Sequence, residues 1–220
     1  MNNTKQQTDG RREIASRNTK WANNVARWLA NRNITPNQIS MMSVFFSLIG
    51  GATLFLATII PSISFYIASG VYILCVQLRL LCNLFDGMVA IEGGKKSANG
   101  DLYNDIPDRF ADAFLIIPVG YVAGGIGIEL GWLAALLAVM TAYFRWIGAY
   151  KTKEHFFNGP MAKQHRMALL TITAAIGIAI LHTGYSPIVF LISLLAMNVG
   201  LIVTLARRLY LMSRTQSFLK

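Results

Sequence analysis

Apolar and polar positions along this chain separate into long blocks. Uncharged runs occupy about 39–60, 62–78, 113–128, 130–144, 167–182 and 183–206. Several approach or exceed the ~20 residues that a helix needs to cross a hydrocarbon core. Glycine and serine are scattered through them, as membrane helices tolerate. Ahead of the first run, Trp21, Val25, Trp28 and Leu29 recur at i, i+4, i+7 and i+8, with Lys20 and Arg27 off that face. The pattern predicts an all-α integral membrane protein, six transmembrane helices preceded by an amphipathic interfacial helix whose indole rings sit at headgroup level. The expected boundaries are a disordered polar N-terminus at 1–16, the interfacial helix at 17–35, a six-helix membrane domain at 36–210 and a cytoplasmic tail at 211–220. Thr35 and Pro36 suit the cap and first turn of the first span.

Composition agrees with the pattern. The 220 residues are 54% hydrophobic and only 14% charged, too little charge for a water-exposed surface. No room is left for a second globular domain. The first apolar run begins near Ile39, after a polar and basic stretch, so no cleaved signal peptide is expected. Cys75 and Cys82 fall within one span at a spacing that suits no metal motif, and they are expected to be packing residues.

The net charge of +10 raises nucleic acid as a partner, and the positions of the charges argue against it. Lys5, Arg11, Arg12, Arg17, Lys20, Arg27 and Arg32 lie in the N-terminal arm. Lys95 and Lys96 lie in the loop after the second run, further cations between Arg145 and Arg166, and Arg207, Arg208, Arg214 and Lys220 near the C-terminus. The turns near Pro61, Glu129 and Thr183 have none. Lysine and arginine thus mark alternate connections, as the positive-inside rule requires. An even number of spans puts both termini in the cytoplasm, where the cations also meet anionic lipid. The expected location is a bacterial inner (cytoplasmic) membrane.

The acids are distributed differently. Six of the ten, Asp86, Glu92, Asp101, Asp105, Asp108 and Asp112, fall between the second and third runs, with Asn83 and Asn104 among them. Arg79, Asn83, Asp86 and Ala90 share one face of the second span. Asp101, Asp105, Asp108 and Asp112 repeat that spacing if the third helix extends back that far. Two consecutive helices with a short loop are antiparallel neighbours, so the stripes can face each other. Acids at the membrane boundary are costly unless paired or metal-bound. Two readings follow: a hard cation, Mg2+ or Mn2+, held by oxygen ligands, or an acidic cap neutralised by Arg79, Lys95, Lys96 and Arg109.

The segment NLFDGMVAIEGGKKSANGDLYNDIPD resembles the signature of the CDP-alcohol phosphotransferase (class I CDP-alcohol phosphatidyltransferase) family, D-x2-D-G-x2-A-R, about eight residues, then G-x3-D-x3-D. Asp86, Gly87, Ala90, Gly100 and Asp108 fall on it without a gap. ITPNQIS and GPMAKQHR resemble stretches before that family's first and fifth helices, so the likeness covers most of 17–210. Asn83 and Asn104 stand at two acidic positions of the signature, and Ile91 at its arginine.

The resemblance implies transfer of a substituted phosphate from a CDP-linked donor such as CDP-diacylglycerol to an alcohol, with release of CMP, in phospholipid biosynthesis. It implies Asp108 as general base, a Mg2+ or Mn2+ site at Asp86, Asp108, Asn83 and Asn104, and nucleotide against Gly87, Ala90 and Gly100. It also implies a homodimer, for which Gly120 and Gly124 offer a small-xxx-small step. Arg145, Lys163, His165 and Arg166, around the expected start of the fifth span, form a candidate anion site for a phosphorylated acceptor, or else contact lipid headgroups. Arg79, one turn before Asn83, is a candidate substitute for part of a second cation's charge, or simply the partner of a nearby acid. Two other classes remain open: a catalytically silent relative that binds nucleotide or lipid, which the amides suggest, and an ion-coupled transporter, which lacks the broken or repeated helices often seen in transporters.

Overall fold

Threonine followed by proline begins the first long helix, as expected. Thr35 Oγ accepts from the Gln38 amide and the Gln38 side chain accepts from the Thr35 amide, a reciprocal cap with Pro36 in the first turn. The computed structural model describes residues 19–92, 100–152, 156, 159–184 and 186–215, the side chains of 92, 100–104 and 152 excepted. The expectations for 1–16, for the loop with Lys95 and Lys96, and for the end of the tail therefore lie outside the described residues.

The helices are α1 (Lys20–Asn31), α2 (Pro36–Ile59), α3 (Phe65–Glu92), α4 (Gly100–Ala123), α5 (Gly127–Thr152), α6 (Lys163–Ala179) and α7 (Ser186–Arg214), with a 3-10 turn at Leu181–Thr183 before α7. No strand occurs among the described residues. Four helices, α2, α3, α5 and α7, are long and apolar enough to cross a membrane, which makes the chain an integral membrane protein. Of the six expected spans, four are met by these helices. α4 departs from it because Asp105, Asp108, Arg109 and Asp112 lie on its first half, and α6 because it has 17 residues and opens with Lys163, His165 and Arg166.

α3 runs well past its uncharged stretch, and α4 starts well before its own. Both extensions carry charge because the charges find partners inside the bundle rather than facing lipid. α4 lies at the centre of the packing, against α2, α5 and α7, while α3 and α6 pack against each other. Tyr72, Leu115, Ile116, Met167, Leu194 and Leu201 belong to the shared core, and Tyr72 donates to the Leu115 carbonyl at 2.8 Å.

Glycines set the closest approaches. A Cβ at Gly51 would lie 1.9 Å from the Phe114 carbonyl oxygen of α4. Pro118, four residues on, has no N–H to give that carbonyl, so it is free to face α2. The step at Gly120 and Gly124 departs from its expected role. Gly120 is closed off inside the chain, where a Cβ would lie 2.5 Å from the Gly127 carbonyl oxygen. Gly124 lies beyond the end of α4 with φ 68°, a turn conformation that favours glycine.

α1 docks on α3 through its small residues. Ala22 and Ala26 are buried against Leu84, Phe85, Met88 and Val89, with Val25 and Leu29 beside them, while Trp21 and Trp28 stay largely exposed. Alanines let the two helices approach closely. The indoles are left to the outer face, with Trp21 edge-on to Phe85 at 5.9 Å.

Candidate functional site

The up-and-down order brings one end of each long helix to the same end of the bundle. The start of α2, the end of α3, the start of α4, the end of α5, the start of α6 and the end of α7 meet there. Their polar residues, scattered from Ser40 to Arg208 in the chain, form two joined clusters.

The inner cluster centres on Asp112, which is fully buried. One carboxylate oxygen receives Arg79 Nη2 at 2.5 Å and the other receives Arg166 Nη2 at 2.6 Å. Arg79, itself fully buried, also lies 3.7 Å from Asp108 Oδ1 and against Met167 Sδ. Arg166 Nη1 donates to the Met161 carbonyl at 3.0 Å. A carboxylate between two guanidinium groups is the arrangement a low-dielectric interior demands, since an unpaired charge there is costly. The Nε atoms of Arg79 and Arg166 have no hydrogen-bond partner among the described residues.

The outer cluster holds the sequence-derived candidates. Lys163 Nζ donates to Asp108 Oδ2 at 2.5 Å and to Asn83 Oδ1 at 2.7 Å, joining α6, α4 and α3 through one ammonium group. Asn83 Nδ2 donates back to the Arg79 carbonyl at 2.9 Å, which fixes the orientation of its amide. Arg109 Nη2 stands 3.8 Å from Asp108 Oδ2. Asp86 is buried, 4% exposed, and among the described residues accepts from Ser40 Oγ at 3.1 Å and the Gly87 amide at 2.5 Å. To one side, Asp105 Oδ2 receives Arg145 Nη2 and the Trp146 indole, each at 2.5 Å. Arg208 reaches this end from α7 and donates to the Thr141 carbonyl.

Asn83, Asp86, Asp108 and Lys163 are thus brought together, with Gly87 and the buried Ala90 on the same stretch of α3. Gly100 opens α4, and Asn104 lies in its first turns with its side chain outside the described residues. Lys163 and Arg166 share the inner face of α6 and both are engaged with acids. His165, between them in sequence, is exposed and outside the cluster. Arg79 is the partner of Asp112, so the nearby-acid reading describes its contact. Ile91, at the signature's arginine, is exposed. Three contributors carried little sequence signal. Ser40 is an ordinary serine of an apolar helix. Arg208 reads as a flank of the last span. Trp146 reads as an interfacial aromatic.

Asp86 is where a cation fits. Its buried carboxylate has no basic side chain within ion-pair distance among the described residues, and hydroxyl and amide donors alone offset a buried charge poorly. The neighbouring donors are hard oxygens of carboxylate and amide, which suit Mg2+ or Mn2+. Among the described residues no three His, Cys, Asp or Glu side chains gather as a metal site, so the donor set is sparse in charge.

No protein-family model and no curated protein matches the sequence. Solved structures do. The chain is similar to phosphatidylinositol phosphate synthase of Mycobacterium tuberculosis in complex with manganese and citrate, with a TM-score of 0.69 and 15% identity over 88% of this chain and 90% of that one. The same synthase with CDP-DAG bound gives 0.70 and 15% over 90% and 96%. Its apo form gives 0.66 and 16% over 88% and 96%. The likeness runs nearly the full length of both chains, and the helical bundle described above is the fold of that synthase.

Proposed function

We propose that the chain is a transferase of phospholipid biosynthesis, moving a phosphatidyl group from a CDP-linked donor, CDP-diacylglycerol foremost, to an alcohol and releasing CMP. The observation that carries this reading is the convergence of Asn83, Asp86, Asp108 and Lys163 at one end of the bundle. These residues lie on or beside the stretches that resemble the CDP-alcohol phosphotransferase signature. The fold is shared with a synthase whose solved forms hold manganese and CDP-DAG.

Asp108 is the general base. Its carboxylate takes the proton of the acceptor hydroxyl as the acceptor oxygen bonds to phosphorus and the bond from phosphorus to the CMP oxygen breaks. Lys163, 2.5 Å away, orients that carboxylate. Gly87, Ala90 and Gly100 present little side chain, leaving room for nucleotide against backbone. Arg145, partly exposed and anchored by Asp105, is the cation placed to meet a phosphorylated acceptor. Arg166 and Arg79 instead hold the floor of the site through Asp112. Asp86 would hold a Mg2+ or Mn2+ ion, beside the signature positions Asn83, Asn104 and Asp108, and the ion would supply charge stabilisation to the diphosphate and to departing CMP.

In the membrane, α4 and α6 complete six spans, their polar halves turned to the site. α1 lies in the interface, and the site faces the cytoplasm, as the lysine and arginine distribution supports. The chain works as a homodimer through a surface other than Gly120.

The test is release of CMP from CDP-diacylglycerol by purified protein with Mg2+ or Mn2+ and a panel of alcohols, phosphorylated ones included. Release that requires an acceptor is the expected result. A folded chain that binds CDP-diacylglycerol without releasing CMP overturns the reading in favour of a silent relative.

A further inference from the structure

The position of Lys163 is electrostatically odd. It is the first residue of α6, where the helix dipole disfavours a cation, and Ala162 before it gives no side-chain cap. An ammonium group is held there because two oxygen acceptors from two other helices converge on it, Asp108 Oδ2 and Asn83 Oδ1. Those are the oxygens a metal ion between α3 and α4 would take as ligands. Lysine carries a compact charge with three N–H donors, closer to a small metal cation than a planar guanidinium is.

The surrounding charge points the same way. Asp86 and Asp108 bring two negative charges and Lys163 returns one positive, so a single divalent cation already overbalances the group. The neighbouring cluster adds Arg79 and Arg166 against Asp112 alone. A second divalent ion would enter a site already positive.

We infer that the Lys163 ammonium is a built-in cation of this site, occupying the Asn83–Asp108 position, so that the chain binds one divalent ion, at Asp86, rather than two. This rests on the transferase reading and specifies its cofactor requirement. The ammonium travels with the chain, so one of the three positive charges that Lys163 and a divalent ion bring beneath the diphosphate is independent of metal supply. It also gives the amide at position 83 a physical reason: a neutral carbonyl accepts from ammonium without adding a charge that a further metal would be needed to offset.

The experiment counts Mn2+ bound per chain by electron paramagnetic resonance on the full-length protein in lipid nanodiscs. The wild type is expected to saturate at about one ion. Asn83→Asp, with the ammonium retained, stays at about one. Asn83→Asp combined with Lys163→Met rises to about two. Two ions on the wild type, a second ion on Asn83→Asp alone, or a folded double variant still at one overturns the inference. The wild-type and single-variant counts decide the matter even if the double variant does not fold. CMP release measured on the same samples separates the two claims. Two bound ions with acceptor-dependent release leave the transferase reading standing and remove this inference, and one bound ion without release does the reverse.

Discussion

At the residue scale, the acids of α4 have separate duties that their spacing does not distinguish. Asp112 is structural. Replacing it with alanine strands Arg79 and Arg166 in the interior, and breaking a buried pair in this way costs about 3–5 kcal/mol. Asp112→Ala is therefore expected to unfold at a distinctly lower temperature than wild type in thermal scans in detergent. Asp108 is chemical. Asp108→Asn keeps the shape and can still accept from Lys163, so the protein remains folded and monodisperse. CMP release is expected to fall by about 10²–10⁴-fold, the usual contribution of general-base assistance. Residual turnover within about tenfold of wild type would remove Asp108 from that role.

At the scale of elements, the site is held by how closely α2, α3, α4 and α6 approach. Gly51 against the bare Phe114 carbonyl is the tightest of these contacts. Gly51→Ala forces α2 and α4 apart and is expected to cost about 1–3 kcal/mol, as overpacking usually does. Gly70→Ala is the control, since nothing lies within 4 Å of its built Cβ, and alanine there favours the helix. A melting temperature for Gly51→Ala equal to that of Gly70→Ala would show that the approach is looser than described. Ser40, one helical turn into α2, couples this contact to Asp86, so displacement of α2 is also expected to weaken Mn2+ binding at the proposed site.

For the whole molecule, the consequential fact is that one end of the bundle gathers lysines and arginines and, among the described residues, the turns at the other end have none. The far turns contain Gly125 and Thr183, while the site end contains Arg109, Arg145, Lys163, Arg166 and Arg208. In a background where Cys75 and Cys82 are replaced, cysteine at position 125 is expected to react with an impermeant maleimide added to intact cells. Cysteine at position 95 reacts only after the cells are opened. The opposite pattern would reverse the orientation and put the site outside.

Local spacing determined a good part of this. Residues three, four and seven apart share a helical face whatever surrounds them, so the stripe of Asn83 and Asp86 and the stripe of Asp105, Asp108 and Asp112 were legible before any packing was known. The length of the apolar runs showed a membrane protein, and Thr35 with Pro36 marked the start of α2. Chain pattern did not reveal which charge meets which. Arg79 and Asp112 are 33 residues apart, Asp112 and Arg166 are 54 apart, and Asn83 and Lys163 are 80 apart. Such pairs depend on the rotation of α6 against α3 and α4, which is set by how their buried side chains fit together. The same packing turned Lys163 and Arg166 inward, left His165 outside, closed Gly120 within the chain, and let α3 and α4 carry helix through charged sequence. Periodicity assigns a residue to a face of its helix. Only the packing of the bundle decides what that face meets, because a buried charge takes its partner from whichever helix lies opposite.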